Sequence, residues 1–307
     1  MTQIAECKNL KELLAHLKDE SVCRQYMEQM RWNGNPICPH CGHGQPYRLK
    51  DGKTFRCRAK TCKRDFSVTV GTVFENSKVL LSTWIAATWL LSAHKKGISS
   101  LQLSRDLGIT QKTAWFVLHR LRLIMGDPEP EKLDNIVEVD ETYVGGTFAN
   151  MSRGRRKKWQ QSGKDNKVPV MGLLERGGKA RLTVIGGKTF KEVVREHVDK
   201  SAVLVTDTHL SYSGLNQEYA AHEAVNHSIQ EYKRDIFYTN SIEGFFSLFK
   251  RTILGTYHQV SPKHLERYCK ESSYRFNFRK ITDKERFKYL MSNTKGRLTY
   301  KTLINKT

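Results

Sequence analysis

The chain has 307 residues, with 52 Lys plus Arg against 31 Asp plus Glu for a formal charge of +21, and 38% hydrophobic and 10% aromatic residues. That apolar and aromatic content excludes the disordered, collagen-like and disulfide-scaffold classes and bounds a folded protein of two or three domains. So large a positive excess points to a polyanion, nucleic acid above all, because Lys and Arg that neutralise phosphates release condensed counterions without reading sequence.

The longest mostly apolar stretch, Thr83 to Ala93, is about half of the roughly 20 residues that a membrane helix requires. The N-terminus MTQIAECKNL has no apolar signal core, so a cytoplasmic protein with no membrane partner is expected. In residues 1–33, Leu10, Leu13, Leu14 and Leu17, then Val22, Tyr26 and Met30, follow helical spacing with a break near Asp19 and Ser21. Two short helices are predicted there.

From 34 to 72 the pattern changes to Gly, Pro and Cys knuckles and short strand-like runs around an Asp51-Gly52 turn. Cys38 and Cys41, fifteen residues, then Cys57 and Cys62 form two knuckles on a hairpin. This spacing lets four thiolates converge tetrahedrally on one Zn²⁺. A closed four-ligand site leaves no position for substrate, so this zinc would fold the module and perform no chemistry. His40 and His43 stand nearby as alternative ligands, and the four Cys are preferred because they are symmetric about the hairpin.

Residues 78–125 return to helical spacing and hold a helix-turn-helix candidate. Ser99 or Ser100 can cap a first helix, Gly108 permits the turn, and Thr110 can cap a second with the inward stripe Ala114, Val117, Leu118 and Leu121. Outward positions, read as Gln111, Lys112, Trp115, His119, Arg120 and Arg122, would include those that approach DNA. The acidic, Pro-containing segment 126–135 reads as a linker.

Beyond the linker, 136–295 is read as an α/β domain and 296–307 as a tail. Three β-rich runs joined by Gly turns precede a helix at 189–199, a strand at 202–207, a helix from near Asn240 and more helical sequence through 294. The segment 152–167 carries seven basic residues, among them Arg153, Arg155, Arg156, Lys157 and Lys158, against one acid. It is read as a flexible loop that orders on DNA.

Acids occur where strands should be apolar. In NIVEVDETYVGG, alternation puts Glu138 and Asp140 on one face and Val137 and Val139 on the other, and a charge there needs a partner or a metal. The run AVLVTD ends its strand at Asp207. In TNSIEGFFSLFKRTILGTYH, Asn240, Glu243, Ser247 and Lys250 share one helical face, opposite Ile242, Phe245, Phe246, Phe249 and Ile253. Two strand acids and a helical carboxylate can hold two divalent metals for in-line attack on a phosphodiester. His209, Tyr212, His222, His227, Tyr257 and His258 are candidates to line the site and are read as structural.

These residues carry a resemblance. The zinc-ribbon spacing, the helix-turn-helix, VEVDETYVGG, VTDTHLSY and TNSIEGFFSLFKRTILGTYHQVSPKHLERYC together resemble the zinc-ribbon class of bacterial insertion-sequence DDE transposases, relatives of the Merlin transposases, over about residues 20–280. The resemblance implies an RNase H-like (retroviral-integrase-like) catalytic domain with a mixed sheet. It assigns Asp140, Asp207 and Glu243 as the three acids, with Lys250 on the Glu243 face contacting a phosphate. Some members of the class use an asparagine as third ligand, which makes Asn240 the alternative; Glu243 is preferred because an anionic oxygen holds a hard cation better than an amide. The implied enzyme is a polynucleotidyl transferase and endonuclease with two Mg²⁺ (or Mn²⁺) per site, acting at the bacterial nucleoid. It would bind terminal inverted repeats, cleave strands and join the freed 3′-OH to target DNA as a homodimer or larger synaptic assembly. The rival readings are a non-enzymatic DNA-binding regulator, which gives no reason for the three acids, and a catalytically inactive domesticated copy.

Overall fold

The computed structural model describes residues 3–126, 130–145, 152–154, 156–157, 167–225 and 237–305. The chain divides into two units, Met1–Met125 with Phe278–Thr307, and Gly126–Asn277.

The first unit opens with α1 (Leu10–His16) and α2 (Glu20–Trp32), each started by a short polar side chain that takes an orphan amide. Asn9 accepts from the Glu12 N–H and Asp19 from the Ser21 N–H. A three-stranded antiparallel meander follows, β1 (Tyr47–Arg48), β2 (Thr54–Arg56) and β3 (Asp65–Ser67). Its first turn is the expected Asp51-Gly52, with Gly52 at φ +65° and Asp51 Oδ1 accepting from the Lys53 and Thr54 amides. Phe55 and Phe66 stack at 5.6 Å, and Trp32 meets them edge-on at 5.5 and 6.0 Å, so three rings supply the core of a module too small to build a larger one.

Helix α3 (Leu81–Ala93) is buried on nearly every side. It lacks a capping side chain of its own, and the Glu20 carboxylate accepts from the Leu81 and Ser82 amides instead. Helices α4 (Ser100–Leu107) and α5 (Gln111–Leu121) are capped by Ser99 and Thr110 and joined through Gly108 at φ +64°, as their sequence predicts.

The second unit is a five-stranded sheet in the order β6-β5-β4-β7-β8. Its strands are β4 (Ile136–Val144), β5 (Val168–Glu175), β6 (Ala180–Val184), β7 (Val203–Asp207) and β8 (Ala221–Val225), with α6 (Phe190–His197) between β6 and β7. Strand β5 runs antiparallel to β4 and β6, and β7 runs parallel to β4 and β8. On one face Val137, Val139, Met171 and Leu173 pack with Val193 and Val194 of α6. On the other, Val170, Leu174 and Leu182 meet Ile242, Phe245, Phe246 and Phe249 of α7 (Asn240–Thr252) and Leu265 and Cys269 of α8 (Pro262–Asn277). Helix α8 also closes the β6 edge. The Ala180, Leu182 and Val184 amides donate to Asn277 Oδ1, Ser273 Oγ and Glu266 Oε2 at 2.7, 2.9 and 2.8 Å, so no row of open donors is left there for another strand.

Two boundaries differ from the sequence expectation. The end of the supposed linker is built into the second unit: Leu133 is 1% exposed, bridges to Val198, and donates its N–H to the His197 carbonyl at 2.9 Å. The segment after Asn277, expected to finish the catalytic domain and trail off as a tail, belongs to the first unit. There α9 (Asp283–Ser292) places Phe287 against the rings of Tyr26 and Trp89, and α10 (Tyr300–Ile304) buries Leu303 and sets Tyr300 edge-on to Phe116. An apolar stripe must be covered by some partner, and periodicity does not say which.

Candidate active site

The acids are gathered by strand register. Strands β4 and β7 pair in parallel with Ile136 against Val203, Val137 against Leu204 and Glu138 against Val205. The pairing ends there; carried two residues on, the same register points Asp140 and Asp207 to one face of the sheet, and the Asp207 charge acts on the Asp140 carboxyl. Asp140 is partly buried, and its Oδ1 accepts from the Glu141 amide at 2.8 Å. Its carboxyl is pushed up to about 7, first by burial and then by the negative charges of Glu141, Asp207 and Glu243, with the Glu141 N–H opposing. Asp207, at the end of β7, turns the chain by accepting from the His209 amide at 3.0 Å.

Helix α7 splits as its sequence predicts: Asn240, Glu243, Ser247 and Lys250 are exposed, while Ile242, Phe245, Phe246 and Phe249 are buried. How closely it can approach the sheet is set by Gly172, which pairs with Asp140 across β4 and β5. A Cβ at this position would lie 2.6 Å from ring carbons of Phe246 and 2.8 Å from Ile242 Cδ1. Glycine therefore lets the helix that carries Glu243 settle against the strand next to Asp140.

Strand alternation alone left Glu138 and Asp140 undivided and the family resemblance chose Asp140; the structure gives the two acids different surroundings. Glu138 is 0% exposed and its carboxylate is occupied: Oε1 accepts from Arg176 Nε and Nη2 at 3.3 and 3.2 Å, and Oε2 accepts from the Ile242 amide at 3.0 Å. On the opposite face, Glu141 Oε2 accepts from the Tyr212 hydroxyl at 2.8 Å, and burial followed by the Glu141 charge raises the Tyr212 pKa far above its ordinary value. The His209 ring packs beside Tyr212 and Phe190, His222 Nε2 meets Thr206 Oγ1 at 2.9 Å, and the Tyr257 hydroxyl donates to Glu271 at 2.6 Å. His258 adopts φ +59°, and His227 lies outside the described residues.

Among the described residues, Cys38, Cys41, Cys57 and Cys62 are the group whose ligand atoms all lie within 4.8 Å of one another. The three site carboxylates are neighbours by charge and are not drawn together that tightly. The cysteine knuckles are formed by backbone: the Cys38 N–H donates to the His43 carbonyl, the Gly42 N–H to the Cys38 carbonyl, and the Cys62 and Lys63 N–H groups to the Ala59 carbonyl. Neither His40 nor His43 belongs to the cluster.

Of the residues read as facing DNA, Gln111 and Lys112 are exposed at the start of α5 and Trp115 is half-buried. Arg120 is a correction. It is 2% exposed, donates to the Glu75 carbonyl, lies over the Trp84 and Phe116 rings, and burial depresses its pKa to about 10. His119 and Arg122 are also buried, because the C-terminal half of α5 is covered on every side and not only along its apolar stripe. In the basic segment, Arg153 and Lys157 are exposed and Arg156 half-buried, while Arg155 and Lys158 lie outside the described residues.

No helix among the described residues is long and apolar enough to cross a membrane. The profile of the transposase zinc-ribbon domain matches residues 18–65, and that of the ISXO2-like transposase domain matches residues 132–277. A protein of the transposable element ISH50 from Halobacterium salinarum is 28% identical over 279 residues, spanning 86% of this chain and 93% of that one. A transposase-like protein from Haemophilus influenzae is 32% identical over 110 residues, 36% of this chain and 86% of the relative. The chain belongs to the ISXO2-like family of insertion-sequence transposases.

Proposed function

We propose that this protein is a DNA transposase that binds the terminal inverted repeats of its element, cleaves strands there, and joins the freed 3′-OH to target DNA. The observation that carries this reading is that the parallel register of β4 and β7 points Asp140 and Asp207 to one face, with the Asp207 and Glu243 charges near enough to act on the Asp140 carboxyl. One strand, β5, runs antiparallel to the other four in the order β6-β5-β4-β7-β8, which supports an RNase H-like domain.

Asp140, Asp207 and Glu243 would hold two Mg²⁺ (or Mn²⁺) ions. Their carboxylate oxygens are the hard donors these ions prefer. The Asp140 carboxyl is raised first by burial and then by the acids around it, and a divalent cation would offset both. When bound, the metals supply a lowered pKa for an attacking water or DNA 3′-OH and charge stabilisation for the leaving oxygen. Glu243 is the third ligand in preference to Asn240, since both are exposed on the same helical face and only Glu243 is anionic. Lys250, two turns further on, contacts a phosphate near the scissile bond as a flexible point charge. The four cysteines hold one structural Zn²⁺. Gln111, Lys112 and Trp115 approach base edges, and Arg153, Arg155, Arg156, Lys157 and Lys158 engage the backbone. Two element ends must be held together, so the working form is a homodimer or larger.

A gel shift and a nicking assay on one preparation test the ligand assignment. Asp207→Asn and Glu243→Gln should lower cleavage by about a thousandfold or more while leaving DNA affinity within about twofold. Asn240→Ala should retain cleavage within about tenfold; the reverse pattern for Glu243 and Asn240 exchanges their roles. Specific binding without cleavage by the unaltered protein would favour the regulator or the inactive-copy reading.

A further inference from the structure

Helix α7 begins at Asn240 after Thr239, and no side chain at that cap takes an orphan amide. The Ile242 N–H, one of the first few that a helix leaves unpaired, donates instead to Glu138 Oε2 at 3.0 Å, from a strand 104 positions earlier in the chain. An anionic oxygen at a helix N-terminus is also favoured by the helix dipole. Arg176 completes the arrangement. It pairs with Glu138 Oε1, donates to the Tyr238 carbonyl at 3.2 Å, and stacks its guanidinium 3.9 Å from the Tyr238 ring centroid, which fixes the chain just ahead of the helix.

The placement of this latch is specific. Glu138 precedes Asp140 by two residues on the same face of β4, and Ile242 immediately precedes Glu243. A single carboxylate thus ties the strand that carries one acid to the helix that carries another, beside the gap left by Gly172. The Glu138 carboxylate is fully buried and ion-paired to Arg176, with both oxygens accepting N–H donors, which commits it to this latch.

We propose that Glu138 and Arg176 are positioning residues that fix the separation of Asp140 and Glu243, and so set the affinity of the site for divalent metal. The proposal rests on the reading of these two acids as ligands. Supporting partners of this kind change metal affinity by about 10- to 100-fold when removed.

The test uses the full chain with two paired substitutions. In Glu138→Leu with Arg176→Met both charges go and the acceptor for Ile242 is lost, whereas Glu138→Gln with Arg176→Met keeps an amide oxygen for it. Neither pair strands a buried charge, which protects folding. Hydrogen exchange of the amides at 240–244 is measured without divalent metal, and binding of Mn²⁺ alone is measured by titration calorimetry. The Leu/Met pair should speed exchange in that turn at least about tenfold and weaken Mn²⁺ by about tenfold or more, with exchange in the ribbon and DNA affinity unchanged. The Gln/Met pair should recover most of both. Uniformly faster exchange across the sheet, with Mn²⁺ affinity unaltered in the folded fraction, would reduce the pair to a stabilising contact and overturn the proposal. An Asp140→Asn control that binds Mn²⁺ as tightly as the unaltered protein defeats the ligand reading instead, and the exchange result then decides the tether alone.

Discussion

Local environment has a large consequence at Asp140. Its carboxyl pKa rises from 3.8 to about 7, chiefly by burial and then by the acids around it. The unfolded chain releases this proton near pH 4 and the metal-free folded chain keeps it to about 7, so between those values the folded state binds more protons. Stability from this group therefore falls as pH rises through that window. Allowing for partial exposure, the loss is on the order of 2 kcal/mol. In EDTA the Tm of the unaltered protein should fall by roughly 5 °C more than that of Asp140→Asn between pH 4.5 and 7.5, and Mg²⁺ should remove the difference. Parallel Tm profiles for the two proteins would contradict this. A different residue marks where sequence reading stops. Glu138 and Asp140 share a face in any strand drawing of VEVDE, and the groups that tell them apart, Arg176 and Ile242, lie 38 and 104 positions away. Arg120 is a similar case: nothing in its spacing distinguishes it from Lys112, yet one is buried over Trp84 and the other exposed. Arg120→Ala should cost about 2 kcal/mol of stability in chemical denaturation. Lys112→Ala loses only a cation–π contact with Tyr300 and should change stability by less than about 1 kcal/mol, while weakening binding to the inverted repeats more than to unrelated DNA.

The elements most legible in sequence are those that end on local chemistry. Asn9, Asp19, Ser99, Thr110, Thr189 and Thr282 each cap the helix that follows, and Gly108 turns α4 into α5. Strand β8 was not legible: AHEAV has neither strand-like composition nor an apolar stripe, and it is a strand because β7 supplies a parallel partner. The seating of α7 is likewise invisible along the chain. Its apolar face is plain in the sequence, but the depth at which it rests depends on Gly172 in another element. Gly172→Ala forces Phe246 or the helix backbone to shift, which should cost about 1 to 3 kcal/mol. Cleavage should fall much further than DNA affinity does. Normal cleavage in a fully folded Gly172→Ala protein would mean that the approach of α7 to β5 does not govern the site.

Across the whole chain, a net charge of +21 spread over two compact units suits the proposed work on a long polyanion. The division of the chain was only partly readable. A composition change at 126–135 announced a boundary, whereas the return of residues 278–305 to the first unit depends on Phe287 finding Tyr26 and Trp89. The cysteine cluster was readable because metal chemistry constrains residue type and separation more strongly than packing does. The most direct test of the account is to incubate the purified protein with a plasmid that carries the native flanks of its gene, with and without Mg²⁺, and map every new 3′ end. Breaks at the boundaries of the inverted repeats that require Mg²⁺ and vanish in Asp207→Asn are the predicted result. Metal-independent breaks, or breaks that persist in Asp207→Asn, would contradict it.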